Sequence, residues 1–349
     1  MSDVIGRAAT PPEVTATPAP GAPTAPAAPP EDGRGTGAEG IHGSAVGDRI
    51  YSVLIWVFAI CVPVLLALIA IEIFVAGWPA LHQFGFAFLT SSAWDPVHGR
   101  FGAAPAIYGT LVSSFIALLL ATPLAIGVSV FLSEFAPPWL RQPVAFFVDL
   151  LAAIPSVVYG LWGIFVLLPV LRLAVMPFLQ QTLHLRVIPL FSGPAYGPSM
   201  LGAGLILTIM VLPYIASVSR EVLIAVPRAQ REAALALGAT KWEMIWGAVL
   251  PFARSGIIGG VILGLGRALG ETMAVTMVIG NRAQISASLF APGYTMASVI
   301  ANEFSEASGD LHLSALMAVG FVLFVITIIV NAIARWLVWS VSRGSEGTA

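Results

Sequence analysis

Charged residues and cysteine are scarce in this sequence. Only 10% of its 349 residues are charged, 58% are hydrophobic and the mean hydropathy is +0.91, which is too apolar for a water-soluble fold of this length. The single cysteine, Cys61, lies in an apolar run, so an internal disulfide and a cysteine metal site are excluded. The composition therefore indicates an integral membrane protein.

Lysine is the scarcest charged residue, and Lys241 is the only lysine in the sequence. A P-loop needs Gly-Lys followed by Ser or Thr, whereas Lys241 lies between Thr240 and Trp242, so the sequence has no ATP site of this type. The five histidines show no His-Glu-x-x-His spacing, which leaves a metalloenzyme without support. The net charge of -2 indicates no surface for polyanions such as nucleic acid.

Six apolar segments have the roughly 20 residues needed to cross a bilayer. We expect the spans at residues 50–71, 106–132, 144–170, 200–218, 256–280 and 313–336. Residues 1–48 are rich in Pro, Ala, Gly and Thr without apolar periodicity, which predicts a disordered tail and no secretory signal peptide. The first span is then an uncleaved anchor before a core over residues 106–338, and we expect loops at residues 72–105 and 171–199.

Basic residues are distributed unequally between the two sides that six spans define. If the amino terminus is inside, eleven of the sixteen basic residues fall in inner segments, four (Arg100, Arg172, Arg186 and Arg282) fall in outer ones, and Arg267 lies within a span. Inner loops of membrane proteins are enriched in Lys and Arg. We therefore expect both termini and residues 221–255 to be cytoplasmic.

A moderately polar segment, residues 226–251, separates two apolar runs and predicts two short helices. Gly238 suits the left-handed residue that ends the first helix, and Thr240 with Glu243 forms a capping box that starts the second. Pro251 is expected to end the second helix. The pattern therefore indicates a helix-turn-helix between two spans.

The first of these helices carries Glu232, Ala233 and Ala236 on one face, where small side chains permit close approach by another protein. An ordinary amphipathic loop and a DNA-reading helix-turn-helix share the local pattern, but membrane spans on both sides argue against DNA. We interpret this face as a docking surface.

Two charged residues fall inside the fifth predicted span. Arg267 is its twelfth residue, near mid-bilayer, and Glu271 lies one turn further on the same face. Each charge costs roughly 2.5 to 3.5 kcal/mol at a helix centre, so both should face a bundle interior or a watery path. Two interpretations stay open: the two residues only pair with each other, or the guanidinium receives an anion.

The third predicted span contains Asp149 and then Ile154-Pro155-Ser156. Pro155 removes a backbone hydrogen bond and can open the helix, and broken helices line transport sites in membrane proteins. A simple proline kink with an acidic group near the interface is the alternative.

Four motifs carry a resemblance to a known family. Glu232-Ala233-Ala234, Gly238 and later Leu250-Pro251 are similar to the cytoplasmic coupling loop of ABC importer permeases. Residues 107–112 (IYGTLV), 151–163 (LAAIPSVVYGLWG) and 264–275 (GLGRALGETMAV) resemble the PstC family of phosphate-specific ABC importer permeases.

The resemblance implies an all-α integral membrane protein of six transmembrane helices with the type I ABC importer fold. It implies a bacterial cytoplasmic-membrane subunit that imports inorganic phosphate, has no ATPase site and binds no cofactor itself. The implied partners are a sister permease, a cytoplasmic ATPase dimer that binds ATP and magnesium, and an external phosphate-binding protein. The candidate substrate path comprises Arg267, Glu271, Asp149, Ser156 and Thr272.

Two other classes of protein remain as alternatives. An ion-coupled secondary carrier would work alone and use Glu271 or Asp149 as a proton site. An intramembrane enzyme would need a nucleophile and base, or metal ligands, among its spans, and none is evident in the sequence.

Overall fold

The structure, a computed structural model, describes residues 45–346 and the side chains of residues 47–339. The helices in chain order are α1 (Ala45–Phe84), α2 (Ala104–Phe135), α3 (Pro138–Ala153), α4 (Ser156–Thr182), α5 (Met200–Ala225), α6 (Arg228–Ala236), α7 (Lys241–Leu269), α8 (Met273–Ile279), α9 (Met296–Glu303) and α10 (Asp310–Glu346). Six of them, α1, α2, α4, α5, α7 and α10, are long and apolar enough to cross a membrane, and this number among the described residues agrees with the prediction.

The amino-terminal boundary differs from the prediction. The predicted tail lies outside the described residues except for residues 45–48, which begin α1. α1 also extends beyond the expected 50–71, because residues 72–84 continue the helix through Pro79. The helix up to Ile60 belongs to one unit and is exposed along its length, whereas the chain from Cys61 onward belongs to a second, compact unit.

α5 is the most buried of the six long helices. Its Ile206, Val211 and Ile215 are fully buried, and it packs against α2 and α7. The α2 side of this contact includes Ala121 and Ala125, both fully buried. Small residues let membrane helices approach closely, so α5 lies at the centre of the contacts among the long helices.

Three prolines lie inside long helices, and one of them, Pro251, was expected to end its helix. Pro251 does not end the second helix of the inner loop, and Pro169 and Pro177 lie within α4, which includes residues 171–182 that we expected to be a loop. Each follows a π-helical turn by two residues, the turns being Ile245–Val249, Gly163–Leu167 and Leu171–Val175. The wider turn moves the preceding carbonyl away from the proline ring, so the helix continues.

The third span is therefore shifted from its predicted position. The chain breaks at Ile154 and Pro155, whose ψ angles of 129° and 139° are extended, and the apolar helix of crossing length is α4, not residues 144–170. Asp149 consequently lies on the short helix α3, before the break. Arg172, expected in an outer loop, lies within α4.

Gly77 on α1 marks a close backbone contact with α10. A Cβ atom there would lie 2.8 Å from the backbone nitrogen of Ala318, whereas a Cβ on Gly127 of α2 would meet nothing within 4 Å.

We expect Gly77→Ala to lower the thermal stability of the purified protein, because backbone atoms must move apart. Gly127→Ala should leave stability unchanged or raise it, since Ala is favoured over Gly in a helix by about 1 kcal/mol. Thermal unfolding in detergent measures both, and equal midpoints for the two variants would contradict the close α1–α10 contact.

Candidate functional site

Two helix interruptions meet in the bundle. The first is the break between α3 and α4 at Pro155, and the second is the break between α7 and α8 at residues 270–272. α8 packs against the first two turns of α4, where a Cβ on Gly160 would lie 3.2 Å from the Cα of Ala274. Irregular backbone at membrane depth is tolerated where protein buries it or where it lines a cavity.

Arg267 and Glu271 form an ion pair at the second break. The Arg267 Nη2 atom lies 3.0 Å from the Glu271 Oε2 atom; the side chains are 37% and 2% exposed. The other Glu271 oxygen accepts a hydrogen bond from the backbone nitrogen of Ala274 in the first turn of α8. Glu271 is therefore a buried anchor, whereas the guanidinium is partly open.

Arg267 keeps hydrogen-bonding capacity beyond its contact with Glu271. Its Nε atom is buried and has no hydrogen-bond partner among the described residues. The guanidinium carbon lies 6.0 Å from the centroid of the Tyr214 ring, at the outer limit of a cation–π contact. A guanidinium has five N–H donors, so pairing with Glu271 leaves donors for an oxyanion.

Tyr214 of α5 joins the two interruptions. Its hydroxyl donates to the carbonyl of Ala152, one turn before Pro155, at 3.3 Å, while its ring lies near Arg267. Six residues further along α5, about 9 Å by helical rise, Arg220 lies 3.5 Å from Asp149. Two ion pairs thus lie beside α5: one near the ring of Tyr214 and the other at Arg220, six residues further along the helix.

The other predicted path residues are close to the breaks. Ser156 is the first residue of α4 and is half-buried, while Thr272 is half-buried in the second break and donates to the carbonyl of Gly270 at 3.3 Å. Asp149 is half-exposed and pairs with Arg220, not with Arg267. The structure therefore groups Arg267, Glu271 and Thr272 at one break.

The loop between α5 and α7 has the predicted turn. Gly238 has φ +86°, and Thr240 with Glu243 forms the predicted capping box at the start of α7. Glu232 and Ala233 are exposed on α6, whereas Ala234 is half-buried and packs against an inner apolar cluster. The loop proper is shorter than residues 221–255, because both ends belong to α5 and α7.

Arg231 of α6 points toward the ends of α2 and α5. Its Nη2 atom lies 2.9 Å from Glu134 at the end of α2, and the same guanidinium donates to the carbonyls of Leu223 and Val226 at the end of α5. Lys241 adds a hydrogen bond to the backbone carbonyl of Glu134 at 2.6 Å. These contacts, here called the Arg231 clamp, fix α6 to the ends of two spans.

A second polar cluster lies where the loop before α2 meets α9 and the start of α10. Glu303 accepts hydrogen bonds from Trp94 at 2.8 Å and from Tyr294 at 3.1 Å, and lies 3.0 Å from a ring nitrogen of His312. Burial raises the pKa of Tyr294 to about 12, so its hydroxyl stays protonated and donates. The cluster ties α9 and α10 to the loop before α2.

The matching family covers most of the chain. It is described as the binding-protein-dependent transport system inner membrane component, and it matches residues 121–343. Two solved structures share the fold: a methionine ABC transporter, with 18% identity, a TM-score of 0.51 and coverage of 68% of this chain and 94% of that one, and a bacterial alginate ABC transporter, with 17%, 0.54, 82% and 94%. These matches define the class as a membrane permease.

Curated relatives narrow the class. The phosphate transport system permease protein PstC of Mesorhizobium japonicum is 50% identical over 297 residues, 84% of this chain and 90% of the relative. PstC 2 of Mycobacterium tuberculosis is 43% identical over 83% of this chain and 91% of the relative. The chain therefore belongs to the binding-protein-dependent transport inner membrane family and, within it, to the PstC permeases.

Several residues of this site were not among the predicted ones. Tyr214, Arg220 and Glu134 act through contacts with residues far away in sequence, and only their polarity within or beside apolar spans could have drawn attention to them. The sequence argument against a metalloenzyme used only the spacing of the histidines. In the part of the chain that the structure describes, no group of three or more His, Cys, Asp or Glu side chains is placed to hold a metal.

We expect Arg231→Met to destabilise the protein by about 3 kcal/mol, because it leaves the Glu134 carboxylate buried and unpaired. Arg228→Met, an exposed arginine on the same helix, should change stability little. Chemical unfolding in detergent followed by tryptophan fluorescence measures the difference. If both variants unfold alike, the clamp carries no stability.

Proposed function

We propose that this chain is the permease subunit of an ATP-driven importer and carries inorganic phosphate inward across the cytoplasmic membrane. The observation that carries the proposal is Arg267, whose guanidinium is partly open and lies at the helix break beside the buried Glu271. The names of relatives up to 50% identical over most of the chain support phosphate as the cargo.

The geometry of Arg267 is compatible with both interpretations of its charge. Glu271 holds the guanidinium in place and lowers the cost of burying it, while other N–H donors of the same guanidinium have no partner among the described residues. Phosphate near neutral pH carries one to two negative charges, and a guanidinium suits such an oxyanion. The pair therefore serves as an oriented, partly neutralised anion contact, which favours passage over tight retention.

The energy source lies in other subunits on this proposal. α6 presents Glu232 and Ala233 outward, and Leu237 beside it is 90% exposed. An exposed apolar side chain beside a small-residue face suits docking of another protein. We propose that this partner is the cytoplasmic ATPase, a dimer that binds ATP and magnesium, and that a sister permease and an external phosphate-binding protein complete the complex.

The orientation follows from charge. With α6 in the cytoplasm, Arg220 and Arg335 lie toward the inner ends of α5 and α10, and Arg141 lies on α3 on the same side. Arg172 lies within α4, so it no longer counts as an outer-loop arginine, which strengthens the inner bias. We propose that both termini are cytoplasmic.

The double exchange Arg267→Met with Glu271→Gln tests the proposed path. It removes both charges at similar volume, so the subunit should insert and assemble normally, as replacement of buried ion pairs often permits. Uptake of labelled phosphate by the reconstituted complex should fall at least about tenfold, because the anion loses a charge-assisted contact. Normal uptake at normal complex yield would falsify the role of the pair in the path.

A second experiment tests the docking of α6. Gly238→Val places a β-branched residue at φ +86°, which strains the turn and misdirects α6. We expect the purified complex to lose ATPase subunits or to hydrolyse ATP without transport. The control is Gly247→Val, because a Cβ there meets nothing within 4 Å and the residue lies in a helical turn. Equal subunit retention and uptake in the two variants would contradict the proposed coupling.

A further inference from the structure

A lateral groove lies between α7 and α10 and has a volume of about 920 Å3. Arg267 of α7 and Arg335 of α10 both line this groove. Tyr214 of α5 contributes to the wall. Among the described residues that line this α7–α10 groove, two are arginines and none is acidic.

The polar residues of α10 in this groove follow one helix face. Thr327, Asn331 and Arg335 are spaced four residues apart, and together they extend about 12 Å along the helix. The Asn331 amide donates to the Thr327 carbonyl at 2.9 Å, which leaves a second N–H free. Polar side chains in an apolar span are costly when they face lipid, so this stripe favours a polar neighbour or ligand.

The α7 side of the groove leaves space that no side chain of this chain fills. Gly259 and Gly266 of α7 line it, and a Cβ atom on either glycine would meet nothing within 4 Å. Packing within this chain therefore does not require glycine at these positions, in contrast to Gly264, where a Cβ would lie 2.7 Å from Val211. The two open glycines keep free the space that connects Arg267 with Arg335.

We propose that the α7–α10 groove is a second oxyanion site, in which Arg335 and Asn331 receive phosphate after it leaves Arg267. The groove runs from the helix break toward the end of α7 that carries Lys241, which is the cytoplasmic end in the proposed orientation. In the described part of the chain no carboxylate forms an ion pair with Arg335, so its donors are open to a ligand. This inference rests on the proposed import of phosphate and adds the route of release.

The same chemistry would also bind the phosphate group of an anionic lipid, since both ligands present phosphoryl oxygens to a guanidinium. The two sources differ in what they depend on. Free phosphate acts in neutral bilayers, whereas a headgroup site depends on the lipid composition of the vesicle.

The first test measures labelled-phosphate uptake by the complete complex in vesicles of phosphatidylcholine. Arg335→Gln should lower uptake about tenfold at normal complex yield, and Arg335→Lys should retain part of it, because it keeps the charge without the fork. The control, Arg49→Gln, removes an arginine from the start of α1 and should transport normally. Normal uptake by Arg335→Gln overturns the proposal.

The second test reports occupancy without transport. In a Cys61→Ala background, Ala332→Cys places a thiol in the groove, and a charged maleimide measures its accessibility. Inorganic phosphate should slow modification in neutral vesicles, and Arg335→Gln should remove this protection. If phosphate has no effect while added phosphatidylglycerol slows modification, the groove holds a lipid headgroup and the proposal fails.

The two levels of inference fail in different ways. If the unmodified complex takes up no phosphate, the proposed function is wrong. If it takes up phosphate and both Arg335→Gln and the groove-filling Gly259→Leu do so equally well, only the release site is wrong. Gly127→Leu, also at an open glycine but on α2, is the control for added bulk.

Discussion

An unpaired charge is costly in the apolar interior of a membrane, by roughly 2.5 to 3.5 kcal/mol at a helix centre. The Arg267–Glu271 pair meets this constraint inside a span, and two further pairs, Arg220 with Asp149 and Arg231 with Glu134, join α5 to α3 and α6 to α2. Two of the carboxylates are buried, with Glu271 at 2% and Glu134 at 7% exposure. These pairs therefore link elements at a few defined points of the bundle.

The most exposed arginine of the three pairs is the one at the helix break. Arg267 is 37% exposed, against 19% for Arg220 and 18% for Arg231. The same type of pair thus supports two purposes. Where the arginine is enclosed by backbone carbonyls, as in the Arg231 clamp, it holds helices together; where an edge is open, it can meet a ligand.

Local sequence was sufficient for features that depend on neighbouring residues. The number of spans followed from apolar length, the turn at Gly238 from the conformational freedom of glycine, and the helix start at Thr240 from its capping partner. The Arg267–Glu271 contact followed from helical spacing. All of these signals act within about one turn or one uninterrupted apolar run.

Proline was the main source of error, because its effect depends on the backbone before it. Pro155 interrupts the helix, whereas Pro169, Pro177 and Pro251 are accommodated by π-helical turns. No sequence pattern predicted these turns. The third span and the second inner-loop helix were displaced for this reason. Contacts of long range, such as Tyr214 with Ala152 and Arg231 with Glu134, were equally invisible, since they exist only after the helices pack.

The position of Lys241 has a practical consequence for experiments on this protein. The only lysine of the chain lies at the start of α7, where its amino group contacts the Glu134 carbonyl and lies 4.8 Å from the centroid of the Phe135 ring. Every side-chain amine reagent therefore reports on a single point, next to the surface that faces the proposed ATPase. Together with the lone thiol of Cys61, it gives the chain two chemically distinct natural handles, so paired probes can be attached without altering its sequence.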